Sequence, residues 1–220
     1  MSSSPDAGSD GSAFWQVLAS RRMCRDFVDE RIDDDLLDRI TEAAFRGPAA
    51  GNTHALDLVV LTGSAVPRYW DVTLSTERRD AFPWPGLLVA PALVLVVVDP
   101  AAYVERYGRP DKAHTGLGDD VASWPVPYWF VDGGAAVMAL LLAAEAAGLG
   151  ALFFGQFDHE GAVHRAFGVP EDRRSVGTVA LGWPATGGRA PSASGRRGRP
   201  DAADHTHRGA WSPPAQASDR

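Results

Sequence analysis

The chain predicts an α+β fold, on three observations. Residues 88–98 form a nearly continuous apolar run that is too short to span a membrane as a helix and contains Pro91. Such a run fits a strand buried on both faces. Residues 34–44 place Leu36, Leu37, Ile40 and Ala44 on one stripe, the mark of an amphipathic helix. Helix and strand patterns then follow each other in an irregular order, without regular βαβ units or an internal repeat.

The elements read in order as follows. Ser12 is placed to cap a first helix from Ala13 to about Met23. Asp33 caps a second, with Asp34 and Asp35 in its first turn, where carboxylates suit the helix dipole. Gly47-Pro48 stops it. Residues 56–62 are a strand, and 88–98 a second. Residues 132–147 make the longest helix, ended by Gly148. Asp158 caps a short helix through Phe167, with Gly168 past its end and Pro170 beyond. Residues 176–181 are a third strand.

Two stretches, 68–85 and 101–127, carry no packing pattern and are rich in Pro, Gly, Asp and aromatic residues. Connections this long in a compact domain are often lids or binding loops. In Trp124-Pro125-Val126-Pro127-Tyr128-Trp129 the prolines stiffen the backbone and the rings supply flat apolar surface. A plug over the core and a pocket wall stand about even there, and Trp124, Tyr128 and Trp129 are the candidates for a substrate pocket. Residues 1–12 read as a disordered leader, without the basic start and apolar run of a signal peptide. Residues 13–184 read as the folded domain, and 185–220 as a flexible linker and C-terminal arm in which Trp211 points to docking.

Bulk composition narrows the function. The 220 residues carry 21 basic and 28 acidic side chains, a net charge of −7, so there is no general attraction to nucleic acid or to an anionic membrane. The lone cysteine, Cys24, forms no internal disulfide, which fits a reducing cytoplasm. The apolar stretch 131–150 is long enough to cross a membrane but contains Asp132, Glu145 and four glycines, as a buried helix would.

Three segments carry the chemistry. Arg21, Arg22 and Arg25 put three guanidinium groups within five residues, enough for a phosphate and one more anionic centre. If the first helix continues, Arg21 and Arg25 share a face, and an anion between them relieves their repulsion. A solvated basic helix end explains the cluster equally well. Pro48-Ala49-Ala50-Gly51-Asn52 follows a helix; it is common turn chemistry, or a place where small residues let backbone approach a ring edge. Gly148-Leu149-Gly150 runs into Phe153-Phe154-Gly155-Gln156, either a helix cap leading into core or a backbone surface for a flat ring. Other constellations are weaker. No Gly-x-Gly-x-x-Gly follows a strand, and His205 and His207 lack a clear third metal ligand. Cys24 sits among arginines, which lower a thiol pKa, in a pattern that allows burial just as well.

Arg-Arg-x-x-Arg-x-Phe, then Pro-x-x-Gly-Asn after an amphipathic helix, resembles the nitroreductase family. So do the long Ala/Leu helix closing in Gly-Leu-Gly, Gly-Val-Pro at 168–170 and the strand Val179-Ala180-Leu181-Gly182-Trp183-Pro184. The resemblance runs from about Phe14 to Pro184. It implies a three-layer sandwich, a mainly antiparallel sheet flanked by helices, in an intertwined homodimer. It also implies FMN at the subunit interface, reduced by NAD(P)H, with a small-molecule acceptor. By the same resemblance, Arg21 and Arg22 hold the phosphate and ribityl region, Met23 takes the position of a usual serine, and Arg25 lies near N1 and O2 of the ring. Pro48, Ala49, Ala50 and Asn52 border the partner's ring, and the backbone of Gly155 and Gln156 faces N5. Arg196, Arg197 and Arg199, ahead of Pro200, resemble a basic phosphate-binding pair.

Several positions depart from the pattern. Met23 and Ala49 each replace a serine hydroxyl, and His54 stands where glutamine is common. A mid-chain Asn and Lys lack clear counterparts, with Arg78 and Arg79 as substitutes. The implied reaction is direct hydride passage to and from N5, which needs orientation and electrostatics rather than a dedicated acid or base, so no catalytic side chain is assigned. The alternatives are a specialised member (flavin fragmentation, dehalogenation, metabolite dehydrogenation) or a non-catalytic flavin-binding module.

Overall fold

The computed structural model describes residues 10–190 and 195–211. At its centre is an antiparallel sheet of four strands, β1 (Leu56–Thr62), β2 (Ala92–Val98), β3 (Gly150–Phe154) and β4 (Arg174–Gly182), in the order β1-β2-β4-β3. Around it lie α1 (Asp10–Ser20), α2 (Asp34–Ala43), α3 (Ala65–Thr73), α4 (Thr76–Asp80), α5 (Pro100–Tyr107), α6 (Tyr128–Ala146) and α7 (Glu160–Phe167).

The apolar run becomes β2, and every one of its residues is at most 1% exposed. Successive side chains of a strand point to opposite faces. Ala92, Val94 and Val96 therefore enter one core with Leu37, Ile40, Val137 and Leu140 of α2 and α6. Leu93, Leu95 and Val97 enter the other, with Tyr69 and Trp70 of α3 and Val163 of α7. Helices cover both faces of the sheet, which makes the three layers. Each fully buried Leu or Val contributes roughly 1.5–3 kcal/mol, so this strand is the main hydrophobic anchor of the fold.

Asp33 caps α2 as its sequence predicts, its carboxylate accepting the Asp35 N–H at 3.0 Å. Gly168, in the left-handed region at φ 71°, ends α7. Gly133 lets α6 lie close on the sheet, since a Cβ there would sit 2.5 Å from Val176 Cγ2. Among the described residues α6 alone is long and apolar enough to cross a membrane. Its inner side packs on α2 and the sheet, while Val131 and Met138 face outward, 50% and 37% exposed.

Four expectations change. The first helix begins at Asp10 and stops at Ser20, so Ser12 lies inside it and residues 21–23 lie outside. The segment read as a turn and core at 150–154 is a fourth strand, paired with β4. The stretch 68–85 is not patternless. It contains most of α3, whose Val66, Tyr69 and Trp70 are buried, with Pro67 tolerated in the first turn. The stretch 101–127 likewise contains most of α5, capped by Asp99 through the Ala101 N–H at 2.9 Å.

The chain forms two compact units, divided after Arg189. The first runs past residue 184, held by the Ala185 N–H to Asp26 O at 3.0 Å and the Arg25 N–H to Gly188 O at 2.9 Å. Within the second, 3-10 turns form at Gly195–Arg197 and Ala202–His205, and the His207 ring packs 4.2 Å from that of Trp211.

Candidate functional site

The arginine segment is extended. After α1 ends, Met23 bridges Ala151 in parallel, and the Cys24 N–H donates to Ala151 O at 2.8 Å. Phe27 bridges Pro184 and donates its N–H to Gly86 O at 3.1 Å. Arg21 and Arg25 are therefore not one helical turn apart; four residues of extended chain span about 13 Å. The helix yields because pairing satisfies backbone groups along the edge of β3 and buries Cys24 and Phe27, 0% and 3% exposed. Cys24 packs against Gly150, where an added Cβ would lie 2.6 Å from its Sγ. Burial pushes the Cys24 thiol pKa up, and the neighbouring arginines oppose this without reversing it.

The three arginines have different surroundings. Arg22 Nη1 donates to Ala19 O at 2.6 Å and Arg21 O at 2.9 Å, which caps the end of the preceding helix, α1. Arg21 Nη1 is buried and has no hydrogen-bond partner among the described residues. Arg25 lines a cavity of about 390 Å³ and lays its guanidinium 5.6 Å from the Trp84 ring centre.

That cavity also takes in Gly155 and Gln156, from the other end of the chain. Its walls are aromatic, with Trp70 stacked on Phe154 at 5.9 Å and Phe82 packed against Trp84. Trp70 Nε1 is buried without a partner among the described residues. Among the described residues, neither the Gly155 nor the Gln156 N–H donates a hydrogen bond. An aromatic-walled space with a cation and unpaired donors in its lining suits a planar ring rich in acceptors. Arg78 stands at the rim, whereas Arg79 is paired with Asp71 at 2.6 Å.

Pro48, Ala49 and Asn52 line a different cavity, of about 520 Å³, with Tyr103 and Asp132. Ala50 donates its N–H to Asp132 Oδ2 at 2.7 Å, and the turn passes through left-handed backbone at Gly51 and Asn52, φ 63° and 55°. Within one chain this segment does not line the Arg25 cavity. A further cavity of about 510 Å³ lies among Asp29, Val66 and Val89 and takes in none of the sequence candidates.

The structure places the indoles of Trp124 and Trp129 inside the fold. They are 7% and 6% exposed, cluster with Tyr103 and line none of these cavities. Trp124 donates its Nε1–H to Leu117 O at 2.9 Å, so its one polar group is also used internally. Both pack within the aromatic cluster of one chain, and Tyr128 alone of the three is exposed. Arg196, Arg197 and Arg199 are exposed within the second unit. Sequence reasoning missed Trp70, Phe82 and Trp84. For Trp70 the available signal was the spacing of Val66, Tyr69 and Trp70 on one helical face.

Comparison with known proteins agrees with this fold. The structure of B. megaterium NfrA2 superposes with a TM-score of 0.67 at 19% identity, over 91% of this chain and 75% of that one. The nitroreductase CinD of Lactococcus lactis, solved with nicotinic acid, gives 0.65 at 22% identity, over 79% and 90%. These likenesses define a nitroreductase-type α+β fold. A relative from *Archaeoglobus fulgidus*, provisionally named an NADH dehydrogenase/NAD(P)H nitroreductase, is 25% identical over 77% of this chain and 84% of its own. The sequence profile of the nitroreductase family matches residues 18–183, and the chain belongs to that family of oxidoreductases.

Proposed function

We propose that the chain is an FMN-dependent oxidoreductase that passes hydride from NAD(P)H to a nitroaromatic, quinone or other conjugated small molecule, as a cytoplasmic homodimer. The observation that carries this reading is the aromatic cavity in which Arg25 meets the undonated N–H groups of Gly155 and Gln156. The residues fit the cofactor. Arg25 supplies a fixed positive charge, Arg21 Nη1 an unused donor for an anion, and the two N–H groups donors for ring acceptors. When bound, FMN supplies the two-electron chemistry. The chain orients the ring, excludes water with Trp70, Phe82 and Phe154, and offers charge where the reduced ring is anionic.

A homodimer is supported by the separation of the two ring-bordering segments. Pro48, Ala49, Ala50 and Asn52 sit apart from Arg25 in one chain, as they must if they serve the cavity of a second copy. The outward Val131 and Met138 of α6, and Phe14 and Trp15 of α1, offer apolar surface for that copy. Arg196, Arg197 and Arg199 remain the proposed further phosphate contacts, and Tyr128 the proposed substrate contact.

The test is a visible absorption spectrum of the purified protein, repeated with added FMN and then NADH or NADPH under nitrogen. Flavin bands that bleach with one nicotinamide are expected, and would identify the donor. Bands that persist with both would point to a specialised reaction. No binding of added FMN would overturn the reading.

A further inference from the structure

Gln156 is buried, 4% exposed, and its amide is clamped at both ends. Nε2 donates to Thr178 Oγ1 at 3.1 Å, and Oε1 accepts from Ser175 Oγ at 2.8 Å. Ser175 spends its hydroxyl proton on that bond. His164 Nε2, 2.9 Å from Ser175 Oγ, is then the donor there, which assigns its Nε2–H tautomer. Thr178 Oγ1 also meets the Tyr69 hydroxyl at 3.0 Å, and the Ser175 N–H donates to Glu160 Oε1 at 2.8 Å. The network joins β4, α7 and α3 through one side chain of the cavity wall.

The backbone around this side chain is strained. Phe157, the next residue, holds a left-handed φ of 47° although it has a side chain. Its ring lies over Gly155, where an added Cβ would come 2.8 Å from Phe157 Cζ. The chain turns inward at Gln156 and sharply outward at Phe157. Such a conformation persists only where its surroundings over-determine it.

We infer that Gln156 is a positioning residue whose clamped amide sets the direction of the Gly155 and Gln156 N–H groups, and so tunes the redox poise of the cofactor. The inference rests on the FMN reading above. Donors beside a flavin ring alter its electronics, so their loss changes the relative affinity for the oxidised and reduced forms. Thr178 is 0% exposed and lines no cavity described above, so it acts through the cavity-lining side chains that it bonds, Gln156 and Tyr69. Ser175 bonds Gln156 and not Tyr69, and so separates the two.

The test compares FMN-loaded wild type, Thr178→Val, Thr178→Ser and Thr41→Val. The midpoint potential of bound FMN is read against a reference dye, and FMN affinity by fluorescence. The Thr41 hydroxyl, among the described residues, bonds to Leu37 O and Asp38 O on α2 and serves as the control. Thr178→Val is expected to change the reduced-to-oxidised affinity ratio about tenfold, or about 30 mV for a two-electron couple. Thr178→Ser and Thr41→Val should leave it in place. If Thr178→Val does not fold, Ser175→Ala, which removes the other clamp, is held to the same expectation. A well-folded Thr178→Val or Ser175→Ala whose ratio stays at the wild-type value overturns the inference and leaves FMN binding intact. Failure of the wild type to bind FMN overturns both readings, and is seen before any variant is made.

Discussion

Asp132 on α6 accepts the N–H of Ala50 at 2.7 Å, across 82 residues of chain. The same oxygen accepts the Tyr103 hydroxyl at 2.7 Å. One carboxylate thus ties the Pro48–Asn52 turn to both the long helix and the aromatic cluster. Burial, reinforced by that carboxylate, pushes the Tyr103 pKa well above the usual tyrosine value. Asp132→Ala strands two donors and should cost about 1–3 kcal/mol in denaturant unfolding. Tyr103→Phe removes one partner and should cost less, and the double variant should be non-additive.

Arg25→Met should weaken FMN binding by about 1.5–3 kcal/mol, the usual worth of hydrogen bonds to a charged group. Arg22→Met should weaken it by less than about 1 kcal/mol, since that guanidinium is exposed and engaged at the end of α1. Fluorescence titration with FMN checks both. Equal losses would mean that Arg22 leaves its helix cap to meet the cofactor.

Cys24 should be inert in the native protein. Its thiol is fully buried, and its pKa lies above 9.0, chiefly through burial. A thiol reagent at pH 8 should label nothing until denaturant is added, and then one site. Rapid native labelling would show that the segment beside β3 opens readily.

His164 makes stability depend on pH. Burial is the main cause that lowers its pKa from 6.5; Arg174 adds to the shift and the Glu160 carboxylate opposes it. The unfolded chain therefore binds this proton more tightly. The stability is fully present above the unfolded value and is lost as pH falls through 6.5 toward the lower folded value. Denaturant midpoints measured from pH 7.5 down to 5 should fall, and His164→Gln should flatten the curve in that window.

Trp124→Ala should cost about 3–5 kcal/mol, because it empties a buried site in the Tyr103 cluster. Tyr128→Ala, on an exposed side chain, should stay within about 0.5 kcal/mol. Thermal melts distinguish the two.

Much of the fold was legible because its signals are local. The run that becomes β2 needs no context to read as buried, and Asp33 caps α2 through a bond two residues away. The arginine segment was misread for the opposite reason. Spacing of four residues suits a helical face, and only the distant Ala151, which pairs with Met23, decides for extended chain. The fourth strand was hidden because Gly148-Leu149-Gly150 reads as a cap whether or not a strand follows. The cavity was half legible: its cation and backbone donors stand in motifs, but its Trp70 and Phe82 walls come from a helix and loop that proline-rich sequence disguised.

The single backbone of β2 answers to two separate interiors, and this has a use in engineering. Positions 93 and 95 share a cluster with Tyr69 and Trp70, which also line the cavity, while 94 and 96 belong to the cluster of α2 and α6. Neighbouring codons are therefore under unrelated constraints. A library confined to positions 93 and 95 would reshape the floor beneath the cavity without disturbing the opposite layer, whereas one inserted codon would exchange the two sets at a stroke.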